Sequence, residues 1–220
     1  MFGNSIVDTR QSNGNVGILL EASAAISGQY YFRAYNPTSG HFITSSQALS
    51  TNTWYHVALV RNGNNYQIFV DGVSTASVTN SVLLTGEDLT IGASFDRRDN
   101  TGTAQFTGYL DDLRITKGAA LYSSNFTPPT SALTNTVSSG TVVLRLNGDG
   151  TSGSTTFIDQ SSSTNTITAN GDVQVIASKY GTGSIKFDGT GDYLDVSVNS
   201  DFTFDGDFTV EAWVYPNNRS

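Results

Sequence analysis

Cysteine is absent from the 220 residues, which excludes disulfide staples and thiolate metal sites alike. Lysine and glutamate are scarce, three of each, too few for the exposed faces of a helical protein. Charged residues make up only 14%, and the formal net charge is −8. No basic stripe offsets that acidity, which argues against nucleic acid and against an anionic membrane as partners. No apolar run approaches the roughly 18–20 residues a membrane helix needs. Met1-Phe2-Gly3-Asn4-Ser5 carries neither a basic nor an apolar stretch, so the chain reads as soluble and without a signal peptide. With only two histidines, His41 and His56, a zinc site is not expected either.

What remains abundant belongs to β structure. Gly, Ser, Thr and Asn are frequent, Phe and Tyr total 22, and aspartate supplies 16 of the 19 acids. Aspartate serves turns and calcium sites more readily than helices. Short alternating runs predict strands over Ser5–Thr9, Val16–Ala22, Tyr30–Tyr35, His41–Thr44, Trp54–Arg61, Tyr66–Val70, Val73–Thr79 and Leu89–Gly92. They continue over Ala104–Leu110 with Asp112–Ile115, Val142–Leu146, Val173–Ile176, Ser184–Phe187, Leu194–Val196 and Phe208–Tyr215. Turn signals separate them, among them Asn13-Gly14, Asp71-Gly72 and Asp188-Gly189-Thr190-Gly191-Asp192. The clearest hairpin joins the Trp54 and Tyr66 runs through a loop of four or five residues containing Gly63. One helical turn is expected at Lys117–Tyr122. All-β sandwiches often reach about 200–250 residues as one domain.

One boundary interrupts the pattern. Residues 126–141, from Phe126-Thr127-Pro128-Pro129 through Ser138-Ser139-Gly140, are proline-rich and then Ser/Thr-rich, and read as a connector with little to bury. It separates 1–125 from 142–220, and neither piece repeats the other.

Both pieces carry a resemblance. Trp54-Tyr55-His56-Val57-Ala58-Leu59-Val60-Arg61, Phe69-Val70-Asp71-Gly72 and Ile91-Gly92 resemble the middle of a laminin-G-like domain of the concanavalin A-like type. Gly108-Tyr109-Leu110-Asp111-Asp112-Leu113-Arg114-Ile115 and Phe126-Thr127-Pro128-Pro129 resemble the way such domains close, notably in phage and bacterial surface proteins. Leu144-Arg145-Leu146-Asn147-Gly148, Phe187-Asp188-Gly189-Thr190-Gly191-Asp192-Tyr193-Leu194 and Phe208-Thr209-Val210-Glu211-Ala212-Trp213-Val214-Tyr215-Pro216 are similar to its opening. The resemblance implies a two-sheet antiparallel jelly-roll sandwich, with the closing half placed first and the opening half second. Three arrangements satisfy that order. The halves close on each other as a circular permutant, they swap between copies into a homo-oligomer, or the chain is a window across tandem repeats. Exposed edges and core faces would make the last costly.

Several chemistries are missing. Related glucanases set their acids in a Glu-x-Asp-x-x-Glu pattern on one strand, but here Glu21, Glu87 and Glu211 are far apart in sequence. Neither a Gly-x-Ser-x-Gly elbow nor a phosphate-binding glycine loop occurs. His56 lies among core residues, where it reads as structural. The chain is therefore expected to be non-enzymatic. The resemblance further implies a structural calcium, with Asp111 giving a side chain, carbonyls near Asn147 and Gly206 joining it, and Asp159 as a further ligand. Relatives often carry Asp at the Asn147 position, so the charge there is reduced.

Strand alternation places Tyr31, Arg33 and Tyr35 on one face, near His41, and Tyr30 and Phe32 on the other. A Tyr/Arg face suits a glycan, because rings stack on pyranose faces while polar groups take hydroxyls. Core filling is the stronger account of half of these aromatics, and Tyr is common on exposed strands in any case. The expected role is glycan or polysaccharide recognition in an extracellular or virion protein; a structural spacer without a ligand is the alternative.

Overall fold

The computed structural model describes residues 4–10, 17, 19–26, 29–36, 38–86, 88–94, 105–176, 178–197 and 199–217. The Asn13-Gly14 turn, Val16, Glu87, Ala104 and the first three residues lie outside them. Fifteen strands are described: β1 (Asn4–Asp8), β2 (Leu19–Ile26), β3 (Gln29–Asn36), β4 (Gly40–Thr44), β5 (Tyr55–Asn62), β6 (Asn65–Val70), β7 (Val73–Thr79) and β8 (Leu89–Ile91). After them come β9 (Thr107–Lys117), β10 (Thr141–Leu146), β11 (Ile167–Asn170), β12 (Gln174–Ile176), β13 (Ser184–Asp188), β14 (Tyr193–Val196) and β15 (Phe208–Pro216).

They form two antiparallel sheets. The seven-stranded sheet runs β11-β14-β8-β1-β2-β3-β4. In the eight-stranded sheet the order is β12-β13-β9-β15-β5-β6-β7, and β10 pairs with the Lys117 end of β9. Strand β15, near the end of the chain, thus lies between β9 and β5, and β14 pairs with β8. Inward side chains of both sheets build one core. Phe106 meets Phe187 at 6.0 Å between ring centroids, and Tyr66 meets Phe208 at 6.2 Å, so rings from before and after the connector pack edge to face. Each fully buried Phe contributes about 1.5–3 kcal/mol.

Five local features depart from the sequence reading. β5 and β6 pair out to Asn62 and Asn65, so their turn is only Gly63-Asn64. β9 is one strand rather than two, carrying a bulge where Asp112 takes φ +49° and the register against β15 shifts between Glu211 and Trp213. No helix forms at Lys117–Tyr122, because the chain turns at Gly118 (φ +80°) and leaves the sheet. β11 and a 3-10 turn at Ser200–Phe202 were not foreseen.

The stretch after Gly118 is no slack linker. It crosses the outer face of the eight-stranded sheet as a strap, placing Ala120, Tyr122 and Phe126 over Ala58, Val60 and Phe69. β5 is consequently buried on both faces, which explains its unbroken apolar run. The strap is tied down where the Phe126 N–H donates to the Gly72 carbonyl (2.9 Å), Arg114 to Thr134 (3.0 Å), Arg145 to Leu133 (3.1 Å) and the Tyr180 hydroxyl to Pro129 (3.0 Å).

Candidate functional site

Alternation along β3 sends Phe32 and Ala34 into the core and leaves Tyr31, Arg33 and Tyr35 half-buried on the outer face of the seven-stranded sheet. Pairing decides what joins them. Glu21 of β2 lies opposite Arg33, and the register of β4 sets His41 opposite Tyr35. The Glu21 carboxylate, with only 5% of its side chain exposed, holds His41 Nε2 at 2.8 Å and has Arg33 Nη1 at 3.9 Å, all on Oε1. Tyr35 and His41 meet edge to face at 5.1 Å. Arg10 caps the Tyr35 ring with its guanidinium carbon 5.2 Å from the centroid. That guanidinium is aimed by the fully buried Asp8, to which Nε and Nη2 donate at 2.9 and 2.6 Å.

The four residues Tyr31, Arg33, Tyr35 and His41 therefore share one outer face. Asp8, Arg10 and Glu21 complete the group and escaped the sequence reading. Asp8-x-Arg10 spacing at a strand end was a usable signal; the meeting of Glu21 with His41 depends on two pairings that no local pattern announces. Acids and bases balance, so the face presents rings and fixed polar groups rather than net charge. Such a surface can stack a flat apolar ligand face and hydrogen-bond its rim.

The residues put forward for calcium do not converge. Asp159 accepts five hydrogen bonds, from the backbone N–H groups of Arg145, Ser161 and Asn165 and from the Ser161 and Asn165 side chains, at 2.8–3.0 Å. The Gly206 carbonyl accepts from Arg61 at 2.7 Å, and the register sets Gly206 beyond the Lys117 end of β9, far from Asp111 opposite Trp213. Asn147 Oδ1 accepts from Arg145 at 3.0 Å. Asp111 is buried, and its Oδ2 accepts the backbone N–H groups of Lys179 and Tyr180 at 2.8 and 3.0 Å. Burial, opposed by those bonds and aided by Asp112, pushes its pKa up to about 7. Asp112 is fully buried; burial first, then Asp149, raises it to about 6 against the pull of the Leu133 N–H, Arg145 and Arg114.

Two more acidic groups are structural. Glu211 lies fully buried under the strap, held by Arg114 Nε and Nη2 at 3.0 and 2.7 Å and by the Tyr122 hydroxyl at 2.7 Å, with His56 Nε2 3.2 Å away. Burial works to raise its pKa, but contacts to His56, Arg114 and Tyr122 outweigh it and hold the group below its ordinary value. Asp172, Asp188 and Asp192 approach one another in a turn cluster. There Asp192 accepts the backbone N–H groups of the other two at 2.8 Å each, and burial lifts it to about 6. The opposite sheet also shows a row of half-buried rings, with Tyr109 and Tyr215 at 5.4 Å and Tyr215 and Trp54 at 5.2 Å.

Among the described residues no helix is long and apolar enough to cross a membrane. A laminin-G-type family model, described as the concanavalin A-like lectin/glucanases superfamily, matches residues 2–124. No curated protein matches the chain.

Proposed function

Because the chain belongs to the concanavalin A-like lectin/glucanases superfamily, we propose that its binding role is recognition of a glycan, without catalysis. The carrying observation is the Tyr31–Arg33–Tyr35–His41 face, with its polar groups fixed by the buried Glu21 and Asp8. Rings that are half exposed stack on a pyranose while Arg33, His41 and the tyrosine hydroxyls take its hydroxyls. Charge balance across the face favours a neutral glycan, and the net charge of −8 discourages an acidic one.

The non-catalytic reading is supported by how the carboxylates are used. A retaining glycosidase needs two carboxyl groups about 5–5.5 Å apart, with one ready to attack. Here Glu21 is engaged by His41, Glu211 is locked under the strap, and Asp8 is spent on Arg10. The same proposal places the domain in an extracellular setting, on a virion or bacterial surface, and the family match supports its extracellular part.

The test is isothermal titration with neutral oligosaccharides, compared between the wild type and Tyr35→Ala combined with His41→Ala. We expect saturable binding by the wild type, at least tenfold weaker in the double variant. Binding unchanged by the double substitution moves the site elsewhere; release of reducing ends from the same sugars would make the domain an enzyme.

A further inference from the structure

The strap packs over Ala58, Val60 and Phe69, and further along the same face a row of rings stays partly exposed. Alternation along β15 turns Glu211, Trp213 and Tyr215 outward while Ala212 and Val214 enter the core. Strand pairing extends a row from Tyr215. Tyr109 of β9 lies directly opposite it, Lys186 of β13 lies opposite Tyr109, and Trp54, just before β5, meets Tyr215 as well. From Tyr109 through Tyr215 to Trp54 the ring centroids follow at 5.4 and 5.2 Å, with planes inclined at 59° and 55°. Inclined rings leave a notch between each pair.

The strap itself shows what this face accepts. It is a proline-bearing segment without regular secondary structure, held by rings and by a hydroxyl-to-carbonyl bond. Phe126 meets His56 edge to face at 5.7 Å, Pro128 lies beside Gly72, and the Tyr180 hydroxyl donates to the Pro129 carbonyl at 3.0 Å. The contacts run on toward the row. His56 packs on Trp213 at 5.4 Å, Tyr180 packs on it at 5.7 Å, and Tyr215 is two residues further along β15. The row also offers donors, since the Tyr109 and Tyr215 hydroxyls and the Trp54 indole N–H are engaged by no described residue. Two of the chain's three lysines stand here, in a protein of net charge −8: Lys186 in the row, and Lys179 over the Trp213 ring at 4.5 Å.

We propose that the Trp54–Tyr215–Tyr109 row is a docking site for a proline-rich peptide in the polyproline II conformation, with an acidic residue that meets Lys186. Such a helix has three residues per turn and rises about 3.1 Å per residue, so the row spans roughly one turn. Its pyrrolidine rings fit the notches between inclined aromatic rings, the mode in which aromatic-lined grooves take proline-rich segments. Its carbonyls have no internal N–H to pair with, and they accept from the indole and the tyrosine hydroxyls. Because the conformation is formed before binding, little ordering entropy opposes docking. A sugar suits the row less well, because its hydroxyls need fixed polar groups around them. Glu21 and Asp8 fix such groups on the other sheet, whereas no described carboxylate holds the polar groups of this row. The site goes beyond the glycan reading and does not depend on it.

The experiment titrates the full chain into a fluorescein-labelled peptide, a run of prolines closed by two glutamates, and reads anisotropy. A glycine–serine peptide of equal length and charge is the comparison. We expect saturable binding of the proline peptide with a dissociation constant below about 1 mM, and binding of the comparison peptide about tenfold weaker. Trp54→Ala should weaken the proline peptide about tenfold and Lys186→Glu about threefold. Tyr35→Ala combined with His41→Ala, on the other sheet, should leave it unchanged. Amide NMR of the wild type with unlabelled peptide reads the same site, with the largest shifts expected at Trp54, Tyr109, Lys186 and Tyr215, and decides the matter should Trp54→Ala fail to fold. Absence of saturation, equal binding of the two peptides, or shifts that bypass those four residues overturns the proposal. A neutral oligosaccharide that displaces the peptide, and whose own binding is lost in Trp54→Ala, also overturns it and makes the row a sugar platform.

Discussion

Glu211 and Asp192 are both buried acids, yet they answer to pH in opposite senses. Contacts to His56, Arg114 and Tyr122 keep the Glu211 pKa below its ordinary value in the folded chain. Its contribution is complete above the unfolded carboxylate range, about 4.3, and disappears as pH falls through the folded value. Glu211→Gln strands Arg114 beside the buried site, so we expect a loss of about 3–5 kcal/mol at pH 7 in urea unfolding, shrinking toward acid pH. A variant as stable as wild type would show that Arg114 has found water instead. Asp192, raised to about 6, binds its proton more tightly folded than unfolded. Its contribution is most favourable below about pH 4 and is lost as pH rises through 6. Relative to wild type, Asp192→Asn should therefore gain stability between pH 4 and pH 7, measured by the same unfolding curves; a constant difference would mean that the carboxyl titrates normally.

At the scale of the element, the strap carries the most instructive behaviour. Gly72 takes φ +76° in the two-residue turn Asp71-Gly72, and a Cβ there would collide with the Phe126 carbonyl. Gly72→Ala is expected to cost more than about 1 kcal/mol and to release the strap, read as faster proteolysis between Ser123 and Thr130. Unchanged proteolysis would mean that the ties at Arg114, Arg145 and Tyr180 suffice without it. Sequence signals found the Asp71-Gly72 turn because Asp-Gly is itself the cause of that geometry. They found the Tyr31–Arg33–Tyr35 face because strand alternation is local. They missed β11, whose Ile167-Thr168-Ala169-Asn170 contains one large apolar residue and is held by pairing with β14. They took the strap for a linker because most of its anchors are backbone carbonyls, and nothing in Pro-, Ser- and Thr-rich sequence marks which carbonyl an arginine will meet.

For the whole molecule, the issue is whether one chain closes its own sandwich. β9 pairs with β10, β13 and β15, all from beyond the connector, and β15 bridges β9 to β5 through eight and seven register positions. A half-domain swap would have to reproduce every one of these pairings between copies while carrying the strap away from the sheet it covers. The strap argues against that exchange. Its anchors to Gly72, Arg114, Arg145 and Tyr180 draw on residues before and after it in sequence, so the connection itself is folded onto both halves. We therefore expect a monomer of 23.4 kDa by light scattering and one cooperative unfolding transition. The circularly permuted reading makes the same demand, since the opening and closing halves then supply a single core. A stable dimer whose mass falls only on unfolding would favour the swap, because exchanged halves cannot part without breaking both sheets. Two separate transitions would mean that Phe106 on Phe187 and Tyr66 on Phe208 do not couple the halves, and the single-core account would fail with them.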